Sequence, residues 1–137
     1  MREVFLVSRH TALTSDVFRI ARECSGRWHR AGQFACYAFE HPALALLERE
    51  VLANGQVRTP VNLFTAVLPT IREQPLDLSG TRAGQEEIVG ARFFDETGRL
   101  QAIARSSVCP EAKIALLNPR HHAFAQIEWS RVRTGCR

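Results

Sequence analysis

The sequence predicts a single-domain α+β fold, and three observations carry that expectation. The chain has 137 residues, the length of one ordinary domain and short for two. Its apolar fraction of 45% supports one packed core and argues against wholesale disorder. Short β-branched and aromatic runs are broken by only two longer stretches with helical spacing, and strands mixed with segregated helices read as α+β. The domain is taken as residues 1–137.

Each element has its own signal. EVFLVS, 3–8, is a short strand rich in branched and aromatic residues. DVFRIARE, 16–23, places Val17, Ile20 and Ala21 at helical spacing after a possible Asp16 cap. Residues 25–33 form a glycine-bounded loop. QFACYAF, 33–39, suits a strand with Phe34, Cys36 and Ala38 on one side and Ala35, Tyr37 and Phe39 on the other. Pro42 then opens a helix, PALALLEREVLAN, at the position where a missing N–H costs nothing. Leu44, Leu47 and Val51 make its apolar stripe, Glu48 borders that stripe, and Asn54-Gly55 stops it.

VNLFTAVLP, 61–69, is a strand ended by proline, followed by a polar connector to about residue 83. AGQEEIVGARFFDE, 83–96, reads as a helix weakened at Gly90, and Thr97-Gly98 turns the chain. A strand is expected over 100–109 and a last one near FAQIEW, 124–129.

Composition excludes several classes. VFLV is too short an apolar run for a signal peptide, and no run approaches the roughly 20 residues of a membrane span. A cytoplasmic protein is expected. Cys24, Cys36, Cys109 and Cys136 form no C-x-x-C pair, which points to reduced thiols and no zinc site. The paired His121-His122 read as a solvated turn, since adjacent residues do not share a face. The formal net charge of +4 suits a phosphate-bearing ligand or an acidic partner. The basic residues form no run and no aromatic–basic signature, so direct nucleic-acid binding is not expected. Nucleophile elbows, P-loops and Rossmann glycines do not occur.

One constellation remains. GRW-x(3)-G-x(4)-Y spans Gly26 to Tyr37; Glu48 follows eleven residues later within ALALLE, and SSVCP precedes LLNPRHHAF. Taken singly, these residues have ordinary readings. Arg27 is a surface charge, Trp28 a core anchor, Tyr37 a half-buried strand residue, and Glu48 a helix charge beside Arg49.

Together and in this order, the blocks resemble the RES domain family, over about residues 4 to 127. In that family an arginine, a glutamate and a serine give the name. Arg27 matches the arginine of its G-R-W motif, Tyr37 the tyrosine of its V-V-Y strand, and Glu48 the glutamate of A-L-L-E. Ser106 matches the serine twelve residues before the asparagine of N-P-R-H, here Asn118, and VGARFFDE resembles the L-G-x-R-F helix.

The resemblance implies a fold related to the ADP-ribosyltransferases. It implies NAD⁺ as substrate, with no resident cofactor and no metal, cleaved at the nicotinamide–ribose bond. Glu48, Arg27 and Tyr37 are then the catalytic residues, and Arg27, Tyr37, Ser106 and Asn118 the ligand-binding ones. An Xre-like antitoxin is the implied partner. Water, phosphate and a protein all remain open as acceptors.

The chemistry of the residue types agrees. Arginine offers a bidentate fork to a phosphate, tyrosine a ring face and a hydroxyl, and a carboxylate stabilises an oxocarbenium-like sugar. Three features depart from the family pattern. Leu6 stands where a first-strand arginine is common, TSDVFRIAREC replaces a glycine-rich link, and Leu52 or a neighbour replaces a histidine after A-L-L-E. The alternative reading is therefore a catalytically impaired RES-fold protein that binds an antitoxin without turnover.

Overall fold

A computed structural model describes residues 2–53, 60–96 and 98–136. Its seven strands are β1 (Arg2–Ser8), β2 (Cys36–Phe39), β3 (Val61–Leu68), β4 (Leu76–Asp77), β5 (Gln101–Arg105), β6 (Lys113–Leu117) and β7 (Ser130–Cys136). They form one sheet in the order β4-β5-β6-β2-β1-β3-β7. The β4–β5 pair is parallel, and the other neighbours are antiparallel. Two helices, α1 (Pro42–Ala53) and α2 (Glu86–Asp95), complete the α+β fold. Among the described residues no helix is long and apolar enough to cross a membrane.

Alternation along the strands sorts the core into two layers. Val4, Leu6, Cys36, Ala38, Phe64 and Leu117 point to one face, where they pack with Leu13, Phe124 and Ile127. Tyr37, Phe39, Ala102, Ala104, Ile114 and Leu116 point to the other, under Leu44 and Ala45 of α1 and Phe93 and Phe94 of α2. The split of β2 into Cys36/Ala38 and Tyr37/Phe39 is the one its sequence predicts. Burial raises the Cys36 thiol to about 12, so it is an inert core group.

Leu6 settles one departure. It is 8% exposed and faces the layer away from both helices. An arginine there would be buried in that apolar layer, not beside Arg27 or Glu48.

Several expected elements change. The 16–23 stretch forms only a 3-10 turn, Ser15–Arg19, with no buried residue, and Ile20 is 70% exposed; one or two isolated turns do not sustain an α-helix. Among the described side chains of α1 the inward residues are Leu44, Ala45 and Glu48, while Leu47 is 49% exposed and Val51 lies outside the described side chains. The helix is rotated by about one position from its expected stripe. Asn54-Gly55 and Thr97 lie outside the described residues. The 69–83 connector contains β4, and the 100–109 strand stops at Arg105.

KIALL, unassigned in the sequence, is β6, a wholly central strand. A short apolar run with alanine cannot be told from a helical segment by its period. The final strand lies later than FAQIEW. Residues His122–Gln126 form a 3-10 turn because the His121 ring accepts a hydrogen bond from the Ala123 N–H at 3.0 Å. His121 is therefore buried, not solvated, and its Nε2 meets Glu73 Oε1 at 2.9 Å.

Gly90, a weak point for helix propensity, has a packing role. A Cβ there would stand 2.7 Å from the Trp28 carbonyl carbon. Only glycine lets the 24–33 loop lie directly on α2.

Candidate functional site

The site is assembled on the helix-covered face of the sheet, at the end of β5 where the chain leaves Arg105 for Ser106. Three segments converge: the 24–33 loop, α1 and the 106–109 turn.

The loop is anchored first. Trp28 is 2% exposed, and its backbone N–H donates to the Tyr37 hydroxyl at 2.9 Å. That hydroxyl lies 2.7 Å from His29 Nδ1, and His29 Nε2 lies 2.9 Å from the Cys24 carbonyl. A carbonyl can only accept, so Nε2 carries the proton and Nδ1 accepts from tyrosine. The chain of donors runs Trp28 N–H to Tyr37 to His29 to Cys24. Burial is the main reason the Tyr37 phenol is pushed up to about 12 and the His29 pKa is lowered. Both groups are held neutral. Gly26 makes the arrangement possible, since a Cβ there would stand 2.7 Å from His29 Nδ1.

Arg27 projects from this anchored loop. Its Nη1 donates to the Arg105 carbonyl at 2.7 Å, and its Nε lies 3.9 Å from Glu86 Oε2. The guanidinium sits 5.3 Å from the Trp28 ring centre, within cation–π range. Arg27, Trp28, Ser79, Thr81, Glu86 and Arg105 border a cavity of about 150 Å³.

One residue past the end of β5, Ser106 meets the carboxylate of Glu48 from α1. Glu48 is 8% exposed. Its Oε1 accepts from Ser106 Oγ at 2.6 Å and the Ser107 N–H at 2.9 Å, and its Oε2 accepts from Ser107 Oγ at 2.7 Å. A lone carboxylate buried without such donors would be strongly destabilising; three donors make it tenable. Ser106 Oγ also accepts from the N–H groups of Val108 and Cys109, both at 3.1 Å. The hydroxyl therefore shapes the 106–109 turn as well as holding Glu48.

Of the predicted residues, Glu48 and Ser106 are in direct contact, and Arg27 is held at the neighbouring Arg105 carbonyl, although neither Glu48 nor Ser106 borders the cavity beside Arg27. Tyr37 lies on the same face beneath the loop, its ring stacked on Phe94 with centroids 6.4 Å apart. Asn118 is not brought to this cluster. It follows β6 at the opposite end of the β5–β6 hairpin, where its N–H donates to the Leu100 carbonyl. Its side-chain amide donates to the carbonyls of Phe93 and Glu96 and accepts from the Arg120 N–H.

Two site residues were missed in the sequence. His29 was marked only by following GRW, and Ser107 only by doubling Ser106. Neither a histidine in a loop nor a serine pair carries a signal without the fold. Among the described residues no group of three or more His, Cys, Asp or Glu side chains could hold a metal. A larger cleft of about 300 Å³, bordered by Glu3, Thr65, Val67 and Glu128, contains none of the predicted site residues.

Comparison with known proteins agrees with the motif reading. The RES domain model matches residues 4–134. The Pseudomonas putida protein named "Toxin Res" is 34% identical over 107 residues, covering 71% of this chain and 72% of that protein. A match that takes in every strand from β2 to β6, both helices and the whole Arg27–Glu48–Ser106 cluster identifies the chain as a member of the RES domain family.

Proposed function

We propose that the protein is a RES-type toxin that cleaves the nicotinamide–ribose bond of NAD⁺ in the cytoplasm. The observation that carries this reading is the buried Glu48 carboxylate, held by three donors from Ser106 and Ser107, which follow the Arg105 whose carbonyl binds Arg27. An oxocarbenium-like sugar needs a fixed negative charge, and a dinucleotide needs a guanidinium for its phosphates.

In the proposed step the C1′–N bond breaks and its electron pair goes to the pyridinium nitrogen. Nicotinamide leaves neutral, so no acid is needed. C1′ then takes a lone pair from water, phosphate or a protein side chain, which releases its proton. NAD⁺ is consumed as substrate. An Xre-like antitoxin would restrain the enzyme by covering the mouth at Arg27. Incubating the pure protein with NAD⁺, with and without inorganic phosphate, and identifying the products is the test. Free nicotinamide with ADP-ribose or its 1″-phosphate is expected, and intact NAD⁺ under both conditions refutes the reading.

A second reading is a RES-fold protein that binds an antitoxin without turnover. Two observations favour it. The Tyr37 hydroxyl is engaged by Trp28 and His29. The cavity beside Arg27, about 150 Å³, is below the roughly 300–1,000 Å³ usual for small-molecule pockets. It requires retained partner binding with no product in either buffer.

A further inference from the structure

We infer that Ser107 is a positioning residue: together with Ser106 it orients the Glu48 carboxylate so that Oε2 is the oxygen that meets the substrate ribose. This rests on the NAD⁺ reading above. A carboxylate has about four acceptor sites, two per oxygen. Both sites of Oε1 are filled, by Ser106 Oγ and the Ser107 N–H, whereas among the described residues Oε2 holds only Ser107 Oγ. Among the described residues that leaves one acceptor site open, on Oε2.

The two serines also differ in what they have left. A hydroxyl offers one donor and two acceptor sites. Ser106 uses all three, on Glu48, Val108 and Cys109, and is 1% exposed. Ser107 is exposed, and its donor goes to Glu48. Of the two serines, the exposed one is thus the partner of Oε2. Torsion about the terminal bond of glutamate is soft. Ser107, gripping both oxygens from one residue, fixes that torsion where Ser106 alone would leave a pivot about Oε1.

The test is steady-state kinetics with NAD⁺ on Ser107→Ala and Ser107→Thr, with melting temperatures as a folding control. Removing one donor to a charged group should lower kcat about tenfold or more. KM should stay within about twofold, since the carboxylate acts in the transition state. Ser107→Thr keeps the hydroxyl and should recover most of the rate. Unchanged kcat in Ser107→Ala, or a threonine variant as slow as the alanine one, overturns the assignment. If wild-type protein leaves NAD⁺ intact, the substrate reading falls by itself, and the clamp is judged by amide hydrogen exchange. Slow exchange at the Ser107 N–H that is released in Glu48→Ala, with the rest of the spectrum kept, supports it. An unprotected Ser107 N–H in the wild type overturns it.

Discussion

The two ends of the β5–β6 hairpin each carry a buried polar residue drawn from a family motif, and they use it differently. At the Arg105–Lys113 end, Glu48 is bound by side chains and by the N–H of an exposed serine. At the Leu100–Asn118 end, Asn118 is fully buried, and its amide closes the end of α2 by binding the Phe93 and Glu96 carbonyls. The last carbonyls of a helix lack partners within it, and a side-chain amide supplies them. His121, three residues on, is likewise engaged by Glu73 and by the backbone. Among the described residues, one end presents a carboxylate with an acceptor site to spare. The other has its polar atoms engaged within the fold. A motif residue is therefore a ligand candidate only when its hydrogen-bond capacity is unfilled, and its place in a motif does not decide this.

Glu48→Gln should break the first end with the largest effect. Glutamine can keep the donors from Ser106 and the Ser107 N–H on its oxygen and turn its NH₂ to Ser107 Oγ. The fold should then hold, with a melting temperature close to wild type. The lost charge should cost about 3–4 kcal/mol of transition-state stabilisation, two to three decades in NAD⁺ cleavage. Wild-type turnover by this variant would remove Glu48 from the reaction.

Asn118→Ala should do the reverse. Leaving buried carbonyls without donors costs about 1–3 kcal/mol, read as a lower urea midpoint. The rate per folded molecule should stay near wild type. A variant that keeps its stability and loses NAD⁺ affinity would put Asn118 in the ligand site after all and erase the contrast between the two ends.

Arg27→Lys is a smaller and more discriminating change. Lysine keeps the charge but loses the planar fork and the stacking on Trp28. A ligand role raises KM, about tenfold for one lost bidentate contact, with little change in kcat. A strap role, through the Arg105 carbonyl alone, lowers the melting temperature and leaves KM in place.

What could be read in advance follows the same division. The strands with β-branched and aromatic alternation, β1, β2 and β3, were legible, because a half-buried strand shows its period. β6 was not, because Lys113–Leu117 is central and buried along almost its whole length, which removes the alternation that identifies a strand. Glu48 was legible as a motif residue but not as an inward one. The rotation of α1 that buries it depends on the sheet beneath. Ser107 and His29 could not be found at all: their roles exist only once a strand end and a loop are brought beside Glu48 and Tyr37.

The smallest expected effect tests a third buried network, the one under the 24–33 loop, where burial lowers the pKa of a histidine. His29 is neutral in the fold, with Nδ1 accepting from Tyr37 and Nε2–H donating to Cys24. Burial lowers its pKa from the ordinary 6.5. Between the lowered value and 6.5 the unfolded chain binds a proton that the folded one does not, so stability rises with pH across that window. The contribution is complete above 6.5 and is lost as pH falls below it toward the folded value. Protonation would also give Nδ1 a hydrogen directed at a Tyr37 oxygen that already accepts from Trp28, so the hydroxyl would have to turn away. The melting temperature should therefore drop modestly between pH 7.5 and 5.5. His29→Gln offers an acceptor and a donor but does not titrate, and should flatten that part of the profile. Equal drops in wild type and variant would assign the pH dependence to groups other than His29 and leave the Tyr37–His29 pair outside the pH response.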